Sequence, residues 1–289
     1  MNKARMASAA HQLLHQYLLE QTGRGITHVR LTEKALDTLR QPMREVLPSL
    51  RTVSQNKPAS IPAAAPISSV APTPAKEERL KQIAAQAAAS ESCRALGTLR
   101  EVMVFAVGSP NAQIMFVGEA PGAEEEKQRE PFVGPAGQLL TKIIQAMGLK
   151  HSDIYISNIC KYRPKIDDGR NQGSKNRPPT AEEMSACLPF ITEEIAVIQP
   201  RVIVALGSSA VTGLGIEGSV SRLRGQFAAF GGVPVMVTYH PSYLLRCESN
   251  DGGGNREKRM VWEDMLQVME LVGLPISSKQ RAYFSKARG

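Results

Sequence analysis

No stretch of the chain carries the roughly 18 consecutive apolar side chains that a membrane-spanning helix needs. Residues 1–25 mix His, Gln and Arg among their apolar positions, so they lack the unbroken apolar centre of a secretory leader. Both absences lead to the expectation of a soluble, cytoplasmic protein without a membrane partner. Cysteine is scarce as well. Cys93, Cys160, Cys187 and Cys247 form no close pair, which excludes a disulfide-stapled scaffold and reads most simply as isolated buried thiols. No G-x-G-x-x-G occurs, and the Gly-rich turn that follows the strongest apolar run is acidic, so a pyrophosphate would be repelled there. Acidic residues are the minority charge, 27 against 35 Lys and Arg, and the resulting +8 with a pI near 9.4 suits a polyanionic partner.

What is present begins with residues 114–126, IMFVGEAPGAEEE, an apolar run that ends in Gly, Pro and carboxylates. Residues 153–158, 201–207 and 233–240 repeat the arrangement, each a short apolar run closed by polar or Gly residues and separated from the next by a helix-like stretch. Such alternation predicts a three-layer α/β/α sandwich around a central, mainly parallel four-stranded sheet. Ligands bind beyond the carboxyl ends of parallel strands, so Glu119, Asn158, Ser208 and His240 are expected on one rim.

Residues 1–49 read as a helical appendage, with Leu13, Leu14, Tyr17, Leu18 and Leu19 at helical spacing, suited to docking a protein partner. His11 and His15 lie four apart, and without acidic or Cys company they read as a solvated pair, not a metal site. Residues 50–77 are a Pro/Ala/Ser-rich linker, 78–275 the α/β domain and 276–289 a basic tail. Val102 to Val107 reads as an edge strand, and Thr180-Ala181-Glu182-Glu183 opens a helix as a capping box. Phe132, between Pro and Gly, is either a core plug or a platform for a flat ligand.

G-E-A-P-G at 118–122, P-F-V-G-x-A-G at 131–137, Asn158 ahead of K-x-R-P, N-R-x-P-T at 176–180 and H-P-S-Y-L-L at 240–245 together resemble the uracil-DNA glycosylase superfamily, and within it family 4. The resemblance implies a monofunctional glycosylase acting on uracil-containing DNA in base excision repair, expected to work as a monomer. It implies a uracil pocket from Gly118, Glu119, Ala120, Phe132, Asn158 and His240, with Glu119, His240 and Glu125 as catalytic groups. It also implies DNA contacts at Pro121, Gly122 and Ser242 and a wedge among Leu244, Leu245 and Arg246, two of which, the leucines, would otherwise read as core. An Asn suits uracil because its oxygen and amide nitrogen complement N3–H and O4, whereas cytosine presents the opposite polarity.

Family 4 enzymes usually ligate a 4Fe-4S cluster through four cysteines. Here Cys93 and Cys187 stand in matching positions, while Ser90 and Tyr162 take the other two. A cluster-free relative is the expectation, with a rearranged site through Cys160 as the alternative. No His occurs between His151 and His240, so covalent capture of the sugar is not expected. The competing function is a catalytically weak or inactive glycosylase fold that grips DNA or a protein partner. The preferred strand state, the opposing base and other deaminated substrates are not legible in the sequence.

Overall fold

The computed structural model describes residues 74–250 and 254–284. The expected appendage, with His11 and His15, and the linker up to residue 73 lie outside the described residues. The chain then runs through α1 (Pro74–Ala88), α2 (Glu91–Ala95), β1 (Leu99–Met103), β2 (Val107–Gly108), β3 (Ile114–Gly118), α3 (Ala123–Gln128) and α4 (Pro135–Ala146). It continues with β4 (Tyr155–Asn158), β5 (Tyr162–Pro164), α5 (Ala181–Ile198), β6 (Val202–Leu206), α6 (Ser208–Gly213), α7 (Val220–Leu223), β7 (Phe227–Phe230) and β8 (Val233–Thr238). Three helices close it: α8 (Pro241–Asn250), α9 (Asn255–Val272) and α10 (Ser278–Arg281).

The four apolar runs form the parallel centre of a sheet ordered β2-β4-β3-β6-β8-β7. Alternation along β3 makes the layers. Met115 and Val117 face α5 and α6, while Ile114 and Phe116 face α4 and α9. Every residue of β3 and β6 is buried, and each large apolar side chain held there contributes about 1.5–3 kcal/mol. Thr180 caps α5 as expected: its hydroxyl accepts from the Glu183 N–H, and the Glu183 carboxylate accepts from the Thr180 N–H.

The sheet is larger than expected, six strands instead of four, because antiparallel edges join both sides. The edge strand expected at 102–107 is divided. Leu99–Met103 pairs with Tyr162–Pro164 in a separate two-stranded sheet, and only Val107–Gly108 reaches the main one. Residues 276–284 of the expected tail are docked: the Trp262 indole N–H donates to the Gln280 carbonyl, and the Gln280 amide donates to that of Ala146. Buried Arg163 orders the long Gly-rich loop after β5. It donates to the carbonyls of Gly173 and Lys175 at 2.8 Å and to Asn176 Oδ1 at 2.9 Å, and it is neutralised by Glu126 at 3.0 Å.

Candidate active site

Register fixes what the strand ends bring together. Gly118 lies beside Asn158 in the parallel ladder, and Leu206 lies beside Thr238, so Glu119, Ser208 and His240 follow at one edge. Above that edge opens a cleft of about 800 Å³ lined by Glu119, Ala120, Phe132, Asn158, Ser208 and His240, among others.

Three of the expected uracil-binding residues meet at Gly118. A Cβ there would stand 2.3 Å from Asn158 Oδ1 and 2.5 Å from Phe132 Cζ, so only glycine leaves room for the ring and the amide together. Phe132 adopts φ 58°, a left-handed conformation costly for a bulky residue, and such strain persists only where the surroundings impose it. Gly137 at the start of α4 is one imposing element, since a Cβ there would lie 1.7 Å from the Phe132 carbonyl oxygen. Glu125 is another. One carboxylate oxygen accepts from the N–H groups of Val133 and Gly134, and the other accepts from that of Gly122. Both oxygens therefore accept from loop backbone, and Glu125, expected from the resemblance as a catalytic group, ties the Phe132 loop to the acidic turn.

His240 packs against Phe132, ring centroids 5.8 Å apart. The Ser242 backbone N–H donates to Nδ1 at 3.1 Å, and the Ser242 hydroxyl lies 2.8 Å from the same nitrogen. In a neutral imidazole this leaves the proton on Nε2, which is a donor. Burial, with a smaller contribution from the Arg246 charge, lowers the His240 pKa from 6.5 to about 4. Because the folded value lies below the unfolded one, the stabilisation is fully present above pH 6.5 and is lost as pH falls through about 4. In ¹H NMR the His240 ring signal should stay constant from neutral pH down to pH 5 and shift near pH 4; a midpoint at 6.5 would mean a solvated ring.

Glu119 accepts a short hydrogen bond from the Ser209 hydroxyl in the first turn of α6, a partner missed in sequence because Ser208 and Ser209 are adjacent and only the strand-end position was weighed. Beneath Asn158 lies a buried charge pair that sequence reasoning also missed. Lys161 Nζ donates to the Asn158 carbonyl at 2.9 Å and to Ser157 Oγ at 2.7 Å, and it is ion-paired with Glu194 of α5; both charged side chains are fully buried.

The expected DNA contacts divide. Pro121 has no N–H, the Gly122 N–H is given to Glu125, and that of Ser242 to His240, so none of the three offers a free backbone donor to a phosphate. Leu244 is 1% exposed and belongs to the core, which removes it as a wedge. Leu245 is partly buried; Arg246 is exposed and lines the cleft. Their neighbour Tyr243 is 37% exposed.

The four family cluster positions do converge, yet their groups do not fit a cluster. Ser90 Oγ caps α2 by accepting from the Cys93 N–H, and the Tyr162 hydroxyl donates to the Ala87 carbonyl at 2.6 Å. The Cys93 and Cys187 sulfurs touch at 3.6 Å. The Cys187 thiol is pushed up to about 12, first by the neighbouring Cys160 thiol, and Cys93 is raised first by Cys187. Among the described residues no group of three or more Cys, His, Asp or Glu is arranged to hold a metal ion.

A family profile described as the uracil DNA glycosylase superfamily matches residues 105–266. A type-4 uracil-DNA glycosylase of Thermotoga maritima is 40% identical over 176 residues, covering 60% of this chain and 84% of that protein. One from Saccharolobus solfataricus is 35% identical over 179 residues, 58% of this chain and 78% of its own length. A type-5 uracil-DNA glycosylase of Pyrobaculum aerophilum is 33% identical over 155 residues, 47% and 64% of the two chains. The match spans the strands and loops that assemble the cleft, and the chain belongs to the uracil-DNA glycosylase superfamily, standing with its type-4 members.

Proposed function

We propose that the chain hydrolyses the N-glycosidic bond of a uracil flipped out of DNA, leaving an abasic site for repair. The observation that carries this reading is the meeting of Phe132 and Asn158 over the Cβ-free floor at Gly118, with His240 packed against Phe132 and Glu119 lining the same cleft. An extruded base stacks on Phe132, and Asn158 pairs with N3–H and O4. Cytosine leaves both groups unpaired, at a cost of about 1–3 kcal/mol each in a desolvated site.

Bond cleavage leaves the electron pair of the C1′–N1 bond on the base and positive charge on the sugar, as in glycoside hydrolysis. His240, neutral and protonated at Nε2, donates a hydrogen bond to O2, where the anion accumulates, without having to give up its proton. Glu119, oriented by Ser209, stabilises the cationic sugar and directs a water whose oxygen bonds C1′ and whose proton passes to the carboxylate and on to solvent. No lysine amine takes part, so the strand remains uncut. The thiols at the cluster positions have no part in these steps.

The test is incubation with a single-stranded oligonucleotide containing one uracil, followed by hot alkali. A break at the uracil is expected. An intact strand, with DNA binding retained, would leave the inactive DNA-gripping fold as the better reading. Among the described residues no helix is long and apolar enough to cross a membrane.

A further inference from the structure

One side of the cleft mouth carries a column of two stacked tyrosines with an arginine at each end. The Arg224 guanidinium lies 5.8 Å from the Tyr239 ring centre, the Tyr239 and Tyr243 rings are 4.9 Å apart at 38°, and the Arg246 guanidinium lies 6.0 Å from the Tyr243 ring. The column is anchored at its inner end. Arg224 is ion-paired at 2.9 Å with fully buried Asp264, which also accepts from the Thr238 hydroxyl at 2.6 Å, directly before Tyr239 in the chain. Its outer end is open: Tyr243 is the exposed ring, Arg246 is exposed, and both line the same cleft as Phe132 and His240. An exposed tyrosine held between a second ring and an exposed cation is a poor element of packing and a good platform for a flat group attached to phosphate.

We propose that this column is a stacking ledge for the unpaired base next to the flipped uracil, Tyr243 meeting the base and Arg246 its phosphate, which makes single-stranded DNA the favoured substrate class. The assignment rests on the glycosylase reading for what occupies the pocket and goes beyond it in naming the strand state. In a duplex, the neighbours of an extruded nucleotide stay paired and stacked within the helix and leave the ledge empty. In a single strand they are free to leave the chain's own stack for the tyrosine. The ledge differs from a wedge, because Leu244, which would supply one, is sealed in the core and Tyr243 offers a ring face to a base already exposed.

Fluorescence anisotropy with labelled oligothymidylate tests this on the full chain. One probe carries a single central abasic analogue with thymines on either side; a second replaces the flanking thymines by further abasic analogues and keeps every phosphate. Tyr243→Ala should weaken binding of the first about tenfold, leave the second unchanged, and Tyr243→Phe should match the parent on both. The first probe annealed to a complement should bind less tightly and be indifferent to Tyr243→Ala. Equal losses on both single-stranded probes, or no loss on the first, would overturn the ledge. Neither probe contains uracil, so an inactive protein could still show the flanking-base effect, and an active one could lack it.

Discussion

His240→Leu should lower kcat on a uracil-containing strand by about 100- to 1000-fold, the usual loss when a donor to a developing anion is removed. Leucine has similar bulk and keeps the contact with Phe132, so binding of an abasic strand should change little and the loss should fall on the chemical step. Ser242 offers a graded comparison. Ser242→Ala removes the hydroxyl at 2.8 Å and leaves the backbone N–H that fixes the Nε2 tautomer, so its effect should be several-fold and no more. The depressed His240 pKa adds a pH signature: the parent's kcat should not fall between pH 8 and pH 5 through imidazole protonation, because the neutral donor persists down to about pH 4. If His240→Leu lost only a few-fold in kcat, the leaving anion would have to be stabilised by another group.

The four parallel strands were legible because each is an apolar run closed by punctuation, and parallel pairing then forces their ends onto one edge. The same reasoning places Glu119, Asn158 and His240 together from the sequence alone. The antiparallel edges were legible in part: an edge strand was expected at 102–107, of which only Val107 pairs in the main sheet, while Phe227–Phe230 alternates between exposed and partly buried and sits between glycines. Within 240–246 the reading of Leu244 differs by helical phase, while His240, Ser242 and Arg246 line the cleft. In α8 a one-position shift turns Leu244 inward and Tyr243 outward, and the motif alone does not say which face of the helix meets the core. Glu125 was set among the catalytic groups by the family resemblance; the fold adds three backbone N–H groups converging on it. The buried ions Arg163, Lys161 and Glu194 carry no signal in the sequence, which shows charge but not a partner arriving from a distant element.

The largest effect on stability should come from Lys161→Met. The fully buried ammonium lies between the Asn158 carbonyl, Ser157 Oγ and Glu194, with the Phe105 ring 5.5 Å away. Its removal leaves the Glu194 carboxylate in the core with the Tyr155 hydroxyl, 3.1 Å away, as its remaining hydrogen-bond donor; that hydroxyl is itself held protonated by burial and by the Glu194 charge. An uncompensated buried ion costs about 3–5 kcal/mol, a large part of a domain's net stability, so the denaturant midpoint should fall sharply. Adding Glu194→Gln should recover most of that loss, since a neutral amide can bond Tyr155 without a counter-ion. Uracil excision should not recover to the same extent, because the Asn158 carbonyl still lacks the donor that fixes the strand end, and kcat/KM should stay about tenfold low for want of a positioned amide. A double variant as unstable as Lys161→Met alone would mean that the lysine acts through its packing and not its charge. One that is fully active would separate the ion pair from the placement of Asn158.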